Sequence, residues 1–249
     1  ALPEEFDARL YPEGWSEPTF VPDAHWLKAM VLDNPVDKPP ITSHFENYLF
    51  GFHAEREAAQ LRPRRIPLLD ERLMPVKGLS ESLWLEWNRP PEEYFDVLTP
   101  DAFTVVGGPA AEEMEPGVWQ TVLDGSRASV LTFELPEQAV GWPYFTIEAA
   151  AGTTVELLVH EAHRVGGPAL LGNHWNSWTR FICRQGSNTF ETFDYESCRW
   201  IQLHIRSAAG PVKVSNVGLR RRIFPWPQKP TVRLGEPALQ RLMDASINT

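Results

Sequence analysis

Residues 199–205 read Arg-Trp-Ile-Gln-Leu-His-Ile, with Ile201, Leu203 and Ile205 at every second position. Successive side chains of an extended chain point to opposite faces, so this spacing sets three branched apolar groups on one side of a β-strand. The neighbouring segments repeat the pattern. Leu131, Phe133 and Leu135 share a face within Val130–Leu135, and Phe145, Ile147 and Ala149 do so in the next segment. After the Ala151-Gly152 turn, Val155, Leu157 and Val159 alternate with Glu156 and His160. Ser177–Cys183, Thr189–Phe193 and Val212–Leu219 read as further strands. Alternating segments with turns at short intervals predict a mostly β chain, folded as an antiparallel β-sandwich of jelly-roll type.

Toward the N-terminus the pattern loosens. Residues 1–40 are rich in aromatics and proline, and Pro35, Pro39 and Pro40 interrupt any regular element. Residues 54–61, AEREAAQL, read as a short helix stopped by Pro63, and Ile66–Lys77 reads as extended up to Gly78. Toward the C-terminus the period changes. Beyond Pro225, Pro227 and Pro230, the stretch Glu236–Ile247 places Leu239, Leu242, Met243 and Ile247 at helical spacing, with Pro237 suited to a first turn. The expected division is 1–78 as a β- and proline-rich end of an upstream domain with its linker, 79–225 as the sandwich, and 226–249 as a linker and helix.

Composition agrees with an ordered globular chain: 249 residues, 43% hydrophobic, 22% charged and 11% aromatic, with 23 prolines and 10 tryptophans. A net charge of −10 speaks against a sequence-independent grip on nucleic acid, which relies on cations against phosphates. The run Arg220-Arg221-Arg222 is the local exception and reads as a solvated strand end. No apolar run approaches the roughly 20 residues that span a bilayer, so no membrane partner is expected. The opening ALPEEFDARL shows no signal-peptide pattern. A cytoplasmic setting is therefore favoured, with a periplasmic or secreted one open if a leader was removed. Cys183 and Cys198, on separate strands, are expected to be unpaired. Metal-ligand spacings of the CxxC or HExxH kind are missing, and so are a Ser-His-Asp order and a phosphate-binding glycine loop. No cofactor is expected.

Five stretches, in order, resemble glycoside hydrolase family 78, the bacterial α-L-rhamnosidases. Phe6-Asp7-Ala8-Arg9 with Gly14-Trp15 and Trp26 is similar to the family's DAR…GW…W segment. Arg62-Pro63-Arg64-Arg65-Ile66-Pro67 resembles its linker, and Gly152-Thr153-Thr154 with Glu161 its GT…E hairpin. Phe193-Asp194-Tyr195 with Arg199-Trp200 resembles its F-x-Y-x-G-F-R-Y strand, although Ser197-Cys198 stands here in place of Gly-Phe and Trp200 in place of Tyr. Pro237-Ala238-Leu239 through Thr249 is similar to the first helix of the family's α/α barrel. The resemblance implies β-sandwich domains, then a catalytic α/α barrel, then a terminal β-domain. The barrel carries the two carboxylates of an inverting mechanism, one protonating the leaving oxygen and one activating water. No catalytic residue is therefore assigned to this chain. Its implied role is non-catalytic support of the barrel and of one wall of its sugar pocket. The implied partners are a rhamnose-containing glycoside bound through the parent enzyme, the missing barrel, and a second copy associating through the C-terminal helix. A free-standing carbohydrate-binding module and a pure scaffold are the alternatives.

Among candidate sites, the loop from Gly166 to Trp178 stands out. Asn173, Trp175, Asn176 and Trp178 combine aromatic faces, on which sugar C–H groups pack, with amides that hydrogen-bond hydroxyls. The competing reading packs Trp175 and Trp178 between sandwich and barrel. His160-Glu161-x-His163 looks like a metal or acid–base cluster, but neighbours on a strand point to opposite faces. Glu112-Glu113-x-Glu115 and Asp194-Tyr195-Glu196 read as solvated acids.

Overall fold

In the computed structural model, residues 4–28, 66–88, 103–166, 178–207, 210–225 and 231–248 are described. Two compact units are distinguished: Ala1–Tyr11 with Leu68–Thr249, and Pro12–Pro67. In the second unit, residues 12–28 form successive turns. Glu17 N–H bonds Gly14 O at 2.8 Å, Trp26 N–H bonds Asp23 O at 3.2 Å, and the rings of Phe20 and Trp26 meet edge-on at 5.2 Å. The helix expected at 54–61 lies outside the described residues.

The first unit is a β-sandwich. Its strands are β1 (Glu4–Asp7), β2 (Asp70–Pro75), β3 (Leu79–Trp87), β4 (Phe103–Gly107), β5 (Glu112–Glu115) and β6 (Val118–Leu123). There follow β7 (Ala128–Ala149), β8 (Thr154–His160), β9 (Trp178–Ile182), β10 (Gly186–Glu191), β11 (Glu196–Arg206) and β12 (Gly210–Ile223). A single helix among the described residues, α1 (Pro237–Asn248), closes the chain. The sequence alternation marks β8–β12 and this helix, but divides β7 into two segments, one at Val130–Leu135 and the next around Phe145–Ala149, where the structure has one continuous strand. Residues 66–77 read only as extended, and β1 and β3–β6 were not anticipated.

Two layers arise because β7 is long enough to serve both. Its first part, Ala128–Glu134, pairs with β11 and β3, giving one layer in the order β1-β9-β8-β11-β7-β3-β4. Its last part, Tyr144–Ala149, pairs with β10 and β12, giving a second layer with β6 and β5 beyond β12 and β2 on the end of β12. All pairings are antiparallel except β1 with β9, which is parallel, so the expected antiparallel sandwich has one mixed edge. Where β7 passes between layers its register with β11 jumps, from Trp200↔Glu134 to Cys198↔Ala139. Pro136 falls inside that irregularity, where no ladder donor is needed. Gly141 is required at the crossing: a Cβ there would lie 2.5 Å from the Arg220 carbonyl oxygen of β12.

The odd-numbered residues of both β7 halves meet in the core, with Leu131, Phe133, Leu135, Phe145 and Ile147 each fully buried. Contacts between rings join the layers. Phe181 of β9 stacks on Phe190 of β10 at 4.7 Å, Phe145 meets Phe181 edge-on at 5.5 Å, and Trp119 of β6 meets Phe133 at 4.9 Å. The run at the end of β12 is not simply solvated: Arg220 pairs with Glu191 at 2.6 Å, Arg221 with Glu137 at 2.5 Å and Arg222 with Glu71 at 2.8 Å.

Cys183 and Cys198 are both free and fully buried, and burial pushes each thiol up to about 12. A thiol must ionise and be reached to react. A thiol-specific reagent at pH 8 is expected to label neither cysteine in the native protein and both after denaturation without reductant. Fast labelling of the native state would contradict the packing.

Candidate functional site on the outer face of the first layer

The even-numbered residues of β11 point away from the core. Register carries them across the layer in rows. One row runs Glu5, Arg180, Glu156, His204 and Val130; the next runs Trp178, Leu158, Gln202, Thr132 and Glu81. Polar side chains on the outside of a sandwich ordinarily face water. Here they do not: Glu156 is 1% exposed, and Thr132, Gln202 and His204 are fully buried. Part of the cover is local. After β8 the chain turns across the layer, so that the His163 ring lies against Trp200 at 5.2 Å and its Nε2 meets Glu81 Oε2 at 3.2 Å. Glu81 Oε1 then accepts the Gly166 N–H at 2.9 Å.

Burial obliges these groups to satisfy one another. Glu156 Oε1 accepts from Arg180 Nε at 3.2 Å and from Arg206 Nη2 at 2.8 Å, and Arg180 Nη1 also reaches Glu5 at 3.4 Å. The Arg206 guanidinium lies over the Trp87 ring at 5.3 Å. In the adjoining row, Gln202 Nε2 donates to Thr132 Oγ1 at 2.7 Å, which leaves Gln202 Oε1 facing His204 Nε2 at 2.8 Å. An acceptor at that distance puts the imidazole proton on Nε2. His204 Nδ1 has no hydrogen-bond partner among the described residues, and the ring lies among Trp87 and Phe103 at 6.3 and 6.0 Å. Burial, then the charge of Arg206, lowers the His204 pKa to about 3.

The loop singled out in the sequence is anchored on this face at both ends. Gly166 is bonded to Glu81, and Trp178 opens β9 opposite Leu158. Asn173, Trp175 and Asn176 lie outside the described residues, as does the side chain of Trp178. The structure gives the residues of the His160 cluster separate partners. His160 Nδ1 accepts the Ala162 N–H at 2.9 Å, Glu161 accepts from Ser197 Oγ at 2.7 Å, and His163 goes to Glu81. Among the described residues no group of three or more His, Cys, Asp or Glu could hold a metal ion. Glu113 caps a turn through the Gly117 N–H at 2.9 Å, and Glu112 and Glu115 are exposed on β5. The buried network was missed. Its only signal was the alternation of Trp200, Gln202, His204 and Arg206 with apolar residues, a pattern that equally describes a wet face.

No family model matches the sequence, and no curated protein does. Among solved structures, the chain is similar to a family GH78 rhamnosidase of Bacillus sp. GL1, at 20% identity and a TM-score of 0.43 over 58% of this chain. It is also similar to a rhamnosidase from Klebsiella oxytoca with rhamnose bound, at 10% identity and a TM-score of 0.41 over 70% of this chain. The chain covers 17% and 33% of the lengths of these two proteins. A third likeness is to the carbohydrate-binding module TmCBM61 in complex with β-1,4-galactotriose, at 12% identity and a TM-score of 0.30, covering 61% of this chain and 88% of that one.

Removing one partner from a buried ion pair leaves an uncompensated charge, at a cost of about 3 kcal/mol. Glu156→Gln, which removes the buried carboxylate that Arg180 and Arg206 share, is expected to lower urea-unfolding stability by about that amount. Glu148→Gln, whose exposed carboxylate lies 3.9 Å from Lys213, is expected to change it by less than about 0.5 kcal/mol. Equal effects would refute the network.

His204 also sets a pH dependence. Its folded pKa is below the ordinary value of 6.5, so its contribution is complete above that pH and falls away as pH drops toward about 3. The slope is about 1.4 kcal/mol per pH unit. Glu196 acts oppositely. Burial, then Asp194 and Glu4, raise it from 4.5 to about 7, so its contribution is complete below 4.5 and is lost as pH rises through 7. Subtracting the curve of His204→Gln from that of the unmodified protein isolates the histidine. The difference is expected to shrink between pH 6.5 and pH 3, and a flat difference would overturn the assignment.

Proposed function

We propose that this chain is the non-catalytic β-sandwich portion of an α-L-rhamnosidase-like inverting glycoside hydrolase. It supports the catalytic α/α barrel and contributes the Asn173–Trp178 loop to one wall of the sugar pocket. The observation that carries this reading is the anchoring of that loop. Gly166 is bonded to Glu81 and Trp178 stands in the same cross-strand row, four strands away. At about 4.8 Å per strand the two anchors are separated by roughly 19 Å. The ordered resemblance to the rhamnosidases supports the parent architecture. On this reading the stripe of α1, where Leu239 and Leu242 are 53% and 65% exposed, is the surface that packs into the barrel.

The carboxylates of the inverting mechanism belong to the barrel, so this chain alone is expected to leave an aryl α-L-rhamnoside at its uncatalysed rate. Calorimetry with L-rhamnose is expected to give a small heat that Trp175→Ala abolishes. Turnover lost on mutating an acid of this chain would overturn the non-catalytic role. Equal heats from both proteins would remove the pocket wall and leave a scaffold. A strong, saturable heat from the isolated chain would instead favour a free-standing carbohydrate-binding module.

A further inference from the structure

The connection between β10 and β11 carries two large rings in water: Phe193 is 63% exposed and Tyr195 is 61% exposed. Their backbone is held from several sides. Thr192 N–H bonds Pro143 O at 3.1 Å, Phe193 N–H bonds Glu4 Oε2 at 3.2 Å, and Tyr195 N–H bonds Asp194 Oδ1 at 3.1 Å. Thr192 Oγ1 donates to Asp194 O at 2.8 Å, and Trp142 Nε1 donates to Phe193 O at 3.3 Å. The rings lean on anchored neighbours, Phe193 on Phe6 at 5.7 Å and Tyr195 edge-on to Trp142 at 6.1 Å.

Trp142 is itself fixed. The guanidinium groups of Arg220 and Arg222 lie over its ring at 4.9 and 4.8 Å, and Glu191 and Glu71 neutralise them. It is therefore not free to swing over Tyr195 and cover it. Two aromatic rings, two residues apart on one held turn, remain exposed to water, and a turn held in the free protein lowers the ordering cost of binding to them. The nearest cations, Arg220 and Arg222, are already paired with Glu191 and Glu71, and carboxylates stand closer to the two rings in sequence. Asp194 and Glu196 flank the rings, Glu4 holds the turn, and Glu161 accepts from Ser197 next in sequence to Glu196. Carboxylates accept hydrogen bonds from hydroxyls and repel anions, while aromatic rings pack against sugar C–H groups.

We infer that Phe193 and Tyr195 form a saccharide-stacking site, selective for neutral over uronic-acid-containing glycans, with residues distinct from Asn173, Trp175 and Asn176. The inference does not depend on the rhamnosidase reading. A basic peptide is the competing ligand for an aromatic and acidic surface. The rings favour the sugar, because packing of its C–H groups against an aromatic face does not depend on the neighbouring charges.

Affinity electrophoresis of the full chain through gels containing galactan, arabinan, mannan, rhamnan or polygalacturonate tests it. At least one neutral polymer is expected to retard the protein, and polygalacturonate is not. The Phe193→Ala/Tyr195→Ala double variant should weaken that retardation about tenfold. Tyr195→Phe should keep it. Thermal unfolding at the unmodified midpoint would show that the double variant is folded. No retardation by any neutral polymer, full retention by the double variant, or preference for polygalacturonate would each overturn the site. So would an oligolysine peptide that binds these rings and that no glycan displaces. Retardation lost in Trp175→Ala but kept in the double variant would support the loop and overturn this site alone.

Discussion

One strand organises the sandwich. β7 runs 22 residues, Ala128 to Ala149, and would stretch about 73 Å if straight. It instead belongs to two layers in turn, paired first with β11 and β3 and then with β10 and β12. The bend has to fall where ladder bonds are already interrupted, and the register jump opposite Cys198 and Trp200 provides that place. Gly141 then lets the strand pass within contact of the Arg220 backbone. Because both halves of one strand present their odd-numbered residues inward, Phe133 and Phe145 are brought into one core although they are neighbours in neither layer.

The first layer is apolar on one side and densely polar on the other, and both sides are buried. That combination explains why charge matters more here than on an ordinary outer face. A carboxylate such as Glu156, removed from water, is stable only because two guanidinium groups converge on it. His204 is held neutral by the same exclusion of water. The crossing of residues 161–166 over Trp200 toward Glu81 contributes to this cover.

The turn between β10 and β11 is built on different terms. It lies beside Trp142, over whose ring stand the guanidinium groups of Arg220 and Arg222, paired with Glu191 and Glu71. The sequence reading gave Arg220-Arg221-Arg222 to solvent because neighbouring like charges on a strand usually belong there. Register overrides this. Bringing β2 and β10 to the same end of the second layer supplies Glu71 and Glu191, separated from the arginines by about 150 and 30 residues of chain.

The sequence by itself determined the class of fold and the inward face of both halves of β7, of β8 and of β11. Period-two alternation is a local property, and Ile201, Leu203 and Ile205, or Phe145, Ile147 and Ala149, announce it without reference to anything distant. The helix at the C-terminus was legible for the same reason, through the spacing of Leu239, Leu242 and Met243. The candidate site was legible only in part. The loop containing Asn173 and Trp175 could be noticed from composition, but not the row to which its ends are tied. Short strands such as β4 and β5 carry too few residues to show a period. Which polar residues face water was decided by tertiary structure alone. Trp200, Gln202, His204 and Arg206 alternate just as solvated residues do, and only the strands and chain crossing packed around them turn that face into a buried network. Its members come from β1, β3, β7, β8, β9 and β11, and no local pattern records pairings made across that much chain.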